Sequence, residues 1–352
     1  MSRFFSEKYK TLEPYTPGEQ PQDMRYVKLN TNESPFPVSR RAVEAAAKAA
    51  ERLHLYSDPE CRLLTQKFSE VFGFAKDEVL FTNGSDEILN FAFMAFCDGE
   101  HPAAFPDITY GFYPVFAEIN RVPYVELPLR ADFTIDVDAY CGLNKTVFIA
   151  NPNAPTGIAL KPEEIERIVR SNPDNVVVVD EAYVDFGAES CLPLTRKYDN
   201  LLVAQTFSKS RSMAGGRLGF GVANPEIIRD LNTIKYSTNP YNINSMTMAA
   251  GIGVLSDETY TRANCLTIAE NRAFTTDALR RMGFTVLDSK ANFIFARHGT
   301  VDGETIYREL KARGVLVRHF TRPAIREYNR ITIGTREQME ILLRTLCEIL
   351  EA

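Results

Sequence analysis

Lys209 stands in Ser208-Lys209-Ser210 at the end of an apolar run over 201–207, and Ala214-Gly215-Gly216-Arg217-Leu218-Gly219 follows closely. A second apolar run, Val176-Val177-Val178-Val179, ends in Asp180-Glu181-Ala182-Tyr183. A lysine amine can bond a carbonyl carbon and afterwards move a proton. Ser208 and Arg217, close to glycines that let the backbone approach a ligand, suit a phosphate. Asp180, on a separate strand end, can hold a protonated ring nitrogen.

One cofactor uses all of these groups: pyridoxal 5'-phosphate. Lys209 would form the Schiff base, Ser208 and Arg217 would take the phosphate, and Asp180 would face the pyridine nitrogen. Taken singly, a Ser-Lys pair is ordinary surface and a strand-end aspartate ordinarily caps a turn. The joint pattern is what points to the cofactor.

From about Leu29 to about Arg336 the chain resembles the aminotransferases of PLP fold type I, and within them the histidinol-phosphate aminotransferases. The resemblance implies an α/β fold, with a large, mostly parallel sheet domain and a smaller α+β C-terminal domain. It implies transamination of L-histidinol phosphate with 2-oxoglutarate, giving imidazole acetol phosphate and glutamate, a step of histidine biosynthesis. It also implies a cytoplasmic homodimer with shared active sites. Relatives on the same fold keep two other activities open: an aromatic amino-acid aminotransferase and a threonine-phosphate decarboxylase.

Further site residues follow from this resemblance. In Asn83-Gly84-Ser85-Asp86-Glu87 a strand meets a helix whose N-terminal N–H groups suit a phosphate, so Gly84, Ser85 and Asp86 are expected at the cofactor. Tyr110 would stack on the cofactor ring, and Tyr183 would hydrogen-bond its phenolic oxygen. Asn151-Pro152-Asn153-Ala154-Pro155-Thr156-Gly157 carries alanine where the family has the asparagine that bonds this oxygen; Asn153 is expected to substitute. Tyr56 would cross a dimer interface to the neighbouring phosphate. Arg318 and Arg330 would grip the substrate's anionic groups, with Tyr15 and Asn32 lining that pocket.

These residues need elements to hold them. Ser39 caps an expected helix over 39–53 with Val43, Ala46, Ala47, Ala50 and Leu53 on one face, and a second helix leaves at Gly73. Strands are expected over 79–81, 146–150, 176–179 and 201–206. Helices over 88–97 and 163–170 stand between strands, the latter with Pro162 in its first turn. This alternation predicts a mostly parallel sheet covered on both faces. Beyond residue 255 a long helix over 257–282 precedes strands over 284–287, 292–295, 315–317 and 330–333, with helices over 303–313 and 337–350. The expected division is an arm over 1–30 that joins the small domain, a large domain over 31–255 and the small domain over 256–352.

Composition narrows the alternatives. The 352 residues suit two domains. A net charge of −6 argues against nucleic acid as a partner. The 6 cysteines lack CxxC spacing and read as reduced thiols, and the 4 histidines show no metal-ligand spacing. No membrane helix, secretory signal or GxGxxG unit is apparent. A PLP-binding scaffold without catalysis is the remaining different class; intact Lys209, Asp180 and Arg217 argue against it.

Overall fold

The computed structural model describes residues 2–351. Thirteen strands are formed among them: β1 (Val27–Lys28), β2 (Val79–Thr82), β3 (Ala103–Pro106), β4 (Tyr124–Leu127), β5 (Thr146–Ala150), β6 (Val177–Asp180), β7 (Leu201–Thr206), β8 (Gly219–Val222), β9 (Phe284–Val286), β10 (Phe293–His298), β11 (Val315–Leu316), β12 (Arg318–His319) and β13 (Asn329–Thr332). Seven form one sheet in the order β2-β8-β7-β6-β5-β3-β4. All run parallel except β8, which is antiparallel to both neighbours. The buried runs β5, β6 and β7 are apolar throughout apart from Thr146, Asp180, Gln205 and Thr206, as strands covered on both faces must be. The chain is thus α/β with a mostly parallel sheet. In such sheets, ligands bind beyond the carboxyl ends of the strands.

The second sheet has the order β12-β13-β10-β9 and is antiparallel. Its strands pack with the helices Glu258–Arg281, Gly303–Ala312 and Arg336–Leu350 around Phe293, Ile331, Leu342 and their neighbours. The strand expected over 315–317 is divided: β11 pairs in parallel with β1 from the N-terminal arm, while β12 turns to β13. That break lets Arg318 and Arg330 pair side by side in register.

Two helices are closed as their sequences dictate. Ser39 Oγ accepts from Ala42 N at the start of Arg40–Ala50, and Gly73, at φ 74, ends Arg62–Phe72. The buried face of Arg40–Ala50 is nevertheless displaced from the expected one. Ala42 is buried, whereas Val43 and Leu53 are 54% and 55% exposed. The reason is close packing on the helix Ser245–Leu255. Gly253 lies so near that a Cβ there would be 2.6 Å from the Ala42 Cα, which selects small residues for the contact. Val43 and Leu53 then join Leu55, Tyr56, Leu63 and Leu266 as exposed apolar side chains.

All 6 cysteines are free. Among the described residues no helix is long and apolar enough to cross a membrane, and no group of three or more His, Cys, Asp or Glu could hold a metal ion.

Candidate active site

A cavity of about 510 Å³ opens beyond the carboxyl ends of β3, β5, β6 and β7 and reaches the second sheet. Lys209, Asp180 and Tyr183 line it, and so do Ser85, Asp86, Tyr110, Ser208 and Arg217. Tyr15, Asn32, Arg318 and Arg330 complete the wall from the arm and the second sheet. Residues far apart in sequence therefore converge because each follows a strand end or a strand edge.

Asp180 is the last residue of β6 and 5% exposed. Its carboxylate accepts from Ala182 N at 3.2 Å and from the Tyr113 hydroxyl at 3.4 Å, with no cation in ion-pair distance among the described residues. Burial, reinforced by the Asp86 charge, pushes its carboxyl up to about 7. A buried carboxylate left without a cation at a cavity wall fits a cationic ring N–H. Lys209 Nζ donates to Thr31 O at 3.3 Å and stands 5.7 Å from the centre of the Tyr183 ring. The amine is thus held by one neutral carbonyl and is free to reach a ligand.

One end of the cavity is built where β2 meets the helix Ser85–Phe96. Gly84, at φ 79, is the N-cap, and a Cβ there would come within 2.6 Å of the Arg217 guanidinium. Gly219 opens β8 under the same turn; its Cβ would lie 2.4 Å from Ser85 N. Two glycines thus let the helix N-terminus, Ser208 and Arg217 draw together. Arg217 is 3.2 Å from Asp86 and 3.5 Å from Ser208 Oγ. Tyr110 donates to Asp86 at 2.7 Å; burial, then the Asp86 charge, push its phenol well up, so it is a neutral donor.

At the other end, Arg330 stacks over Phe293 and Phe320 at 5.4 and 5.9 Å. It donates to Asn30 O at 3.0 Å, its Nε is buried without a partner, and no carboxylate is within ion-pair distance among the described residues. Burial pulls its guanidinium below the ordinary value. Arg318 donates to the arm carbonyls Thr16 O and Pro17 O at 3.1 and 3.2 Å. Burial raises the phenol of Tyr15, against the opposing charges of Arg330 and Arg318, and its ring stacks on Phe112 at 4.2 Å.

Two expected residues lie elsewhere. Asn153 does not line the cavity: its amide nitrogen donates to Ile108 O at 2.9 Å and to Thr156 at 3.3 Å, and its oxygen accepts from Thr109 at 2.7 Å. It ties down the segment that carries Tyr110, while Ala154 faces the cavity. The expected one-residue substitution at the phenolic oxygen is therefore not what this geometry supplies. Tyr56 is 85% exposed and stacks on Tyr241 at 4.7 Å, away from the cavity. Sequence reasoning also missed Arg322, which lines the mouth and donates to Asp107 O. Its spacing after Arg318, across a loop, carried no periodic signal.

Residues 25–346 match the family described as aminotransferase class I and II. A histidinol-phosphate aminotransferase from Brachyspira hyodysenteriae is 46% identical over 353 residues, covering 100% of both chains. The chain belongs to the histidinol-phosphate aminotransferase family, within the class I and II aminotransferases. Histidinol-phosphate aminotransferase 1 from Bradyrhizobium diazoefficiens is 45% identical over 350 residues, 99% of this chain and 100% of that one. Among solved structures, a putative histidinol-phosphate aminotransferase from Erwinia carotovora atroseptica superposes with a TM-score of 0.86 at 27% identity, over 93% of this aminotransferase and 96% of that chain.

Proposed function

We propose that this aminotransferase uses pyridoxal 5'-phosphate to transfer the amino group of L-histidinol phosphate to 2-oxoglutarate, as a step of histidine biosynthesis in the cytoplasm. The observation that carries the reading is Arg330, a guanidinium packed on two aromatic rings, without a carboxylate, in the same cavity as Lys209. An anion must complete it, and a phosphorylated amine and a dicarboxylic oxo acid both bring one.

Lys209 would hold the cofactor through its amine, and Asp180 would keep the ring nitrogen protonated. Arg217, Ser208, Gly84, Ser85 and Asp86 form the phosphate cradle. Tyr110 would cover the ring and Tyr183 would donate to its phenolic oxygen. When bound, the cofactor supplies an electron sink for the pair left on breaking the Cα–H bond of the substrate. The Lys209 amine, which has no ion-pair partner among the described residues, would be the group that takes the substrate's Cα proton and gives one back. Tyr15, Tyr110 and the arm exclude water from the reacting atoms. Arg318 and Arg330 hold the substrate phosphate; in the second half-reaction Arg330 takes a carboxylate of the oxo acid. The division of labour follows the proposed domains: a cofactor-binding domain over 31–255, and a substrate-gripping domain over 256–352 joined by the arm over 1–30.

Kinetics on three donors test the substrate. Charge-assisted hydrogen bonds contribute about 1.5–3 kcal/mol each, so Arg318→Ala should lower kcat/KM for histidinol phosphate by roughly 10- to 100-fold and leave glutamate nearly unchanged. Arg330→Ala should lower both. A preference for phenylalanine with Arg318→Ala silent would replace this reading with an aromatic aminotransferase. Release of carbon dioxide from threonine phosphate would replace it with a decarboxylase.

The active unit is proposed to be a symmetric dimer. The exposed apolar side chains Val43, Leu53, Leu55, Tyr56, Leu63 and Leu266 support this, because a second subunit would take them out of water. Tyr56 would then reach the partner's cofactor phosphate. Mixing Tyr56→Ala with Lys209→Ala subunits is expected to restore about a quarter of wild-type activity, since half of the statistical mixture carries one intact site. No recovery, or a fully active monomer in sedimentation, would refute the shared site.

A further inference from the structure

Tyr183, Asn32 and Thr332 form a hydrogen-bonded chain behind the cavity. Thr332 ends β13 and is buried, and it does not line the cavity. Its hydroxyl is 2.9 Å from Asn32 N and 2.9 Å from Asn32 Oδ1. A backbone N–H can only donate and a carboxamide oxygen can only accept. The hydroxyl therefore accepts from the first and donates to the second. This fixes the Asn32 amide with its nitrogen toward Tyr183, and that nitrogen donates to the Tyr183 oxygen at 3.1 Å. Tyr183 thus accepts from Asn32, and its own proton is turned to the cavity side. Asn32 cannot drift: it is buried at φ 57, and Asn292 holds its carbonyl at 3.0 Å. Ala154, which also lines the cavity, brings no donor, and the Asn153 amide is spent on Ile108 and Thr156. The direction of the Tyr183 hydroxyl therefore matters more than it would beside a second donor.

We infer that Thr332 is a positioning residue: through Asn32 it sets Tyr183 as a hydrogen-bond donor toward the cofactor's phenolic oxygen. The inference rests on the pyridoxal-phosphate reading above. A hydrogen bond donated to an oxygen favours its anionic form. Losing it lets the bound cofactor keep its proton to higher pH. The other charged and titratable groups around Tyr183 are Lys209, Arg330, Tyr15, Tyr113 and Asp180, and substitution at Thr332 leaves all of them in place.

The test is a pH titration of the visible absorption band of the holoenzyme. In Thr332→Val the Asn32 oxygen loses its donor, the amide can turn over, and Tyr183 can donate to Asn32 instead. The midpoint should rise by about one pH unit, and kcat should fall about tenfold with KM for the amino donor nearly unchanged. Thr332→Ser, which keeps the hydroxyl, should behave as wild type. Asn32→Asp is the second variant, because a carboxylate can only accept and Tyr183 must then donate to it; its midpoint should also rise. If Thr332→Val does not fold, Asn32→Asp decides alone. Loading of the cofactor on Lys209, read by mass spectrometry after borohydride reduction, separates the two levels of the argument. A wild-type midpoint in folded, loaded variants overturns the role of Thr332 and leaves the cofactor reading intact. Wild-type protein that takes no cofactor on Lys209 overturns both.

Discussion

Lys209→Ala is expected to lower steady-state transamination by about four orders of magnitude or more, because in the proposed mechanism one side chain both holds the cofactor and carries the proton. No neighbour can take over. Lys209 Nζ approaches Thr31 O and the Tyr183 ring, and the other cations on the wall are guanidiniums, which do not give up a proton in a protein. The fold should survive, since the lysine head makes one hydrogen bond and no ion pair among the described residues. Borohydride treatment of wild-type protein should remove its visible absorption and leave the cofactor mass on the peptide that contains Lys209. The variant should carry no such mass. Near-normal turnover in Lys209→Ala, with the melting temperature unchanged, would remove Lys209 from the chemistry.

The legible part of this molecule lies where the sequence leaves only one physical solution. Val177–Asp180 and Leu201–Thr206 are apolar runs too short for helices, and a polar residue at the end of each must face the open end of the sheet. Asp180 and Ser208-Lys209 were readable for that reason. Gly84 was readable because a glycine between a strand and a helix lets an anion reach the helix N-terminus. Less legible was anything decided by packing between distant elements. The face of Arg40–Ala50 is set by Gly253 on another helix, so the apolar periodicity pointed to Val43 when Ala42 is the buried residue. Which of Asn153 and Ala154 faces the cavity depends on the path of the 151–157 turn, which side-chain type does not reveal. The Thr332 hydroxyl read as an ordinary strand residue, and its partner lies 300 positions away. The break between β11 and β12 was hidden in one apolar run, because pairing with the arm is not a local property.

Asp180→Asn is expected to separate activity from stability. The amide keeps the shape of the carboxylate and loses its charge. A cationic ring nitrogen opposite it would lose its counter-charge inside the protein, and breaking a buried pair in this way costs about 3–5 kcal/mol. Turnover should fall by roughly 10²- to 10⁴-fold at saturating cofactor. Stability of the cofactor-free protein should move the other way. The Asp180 carboxyl titrates at about 7 in the folded protein against an ordinary 3.8, raised first by burial and then by Asp86. Between those values the native state holds a proton that the unfolded chain has released. Wild-type stability therefore declines as pH rises through this window, by an amount on the order of a few kcal/mol from this group. The asparagine variant lacks the penalty. Stripped of cofactor, it should melt several degrees above wild type at pH 8, and the gap should close toward pH 4. Glu181, raised to about 7 by burial, titrates in both proteins, and because its charge also raises Asp180 the difference contains that repulsion as well. Thermal melts of the cofactor-free pair across pH, beside kcat of the loaded pair, check both halves. Unchanged turnover would remove Asp180 from the ring nitrogen. A variant less stable than wild type at pH 8 would mean that the buried carboxylate has a favourable partner after all.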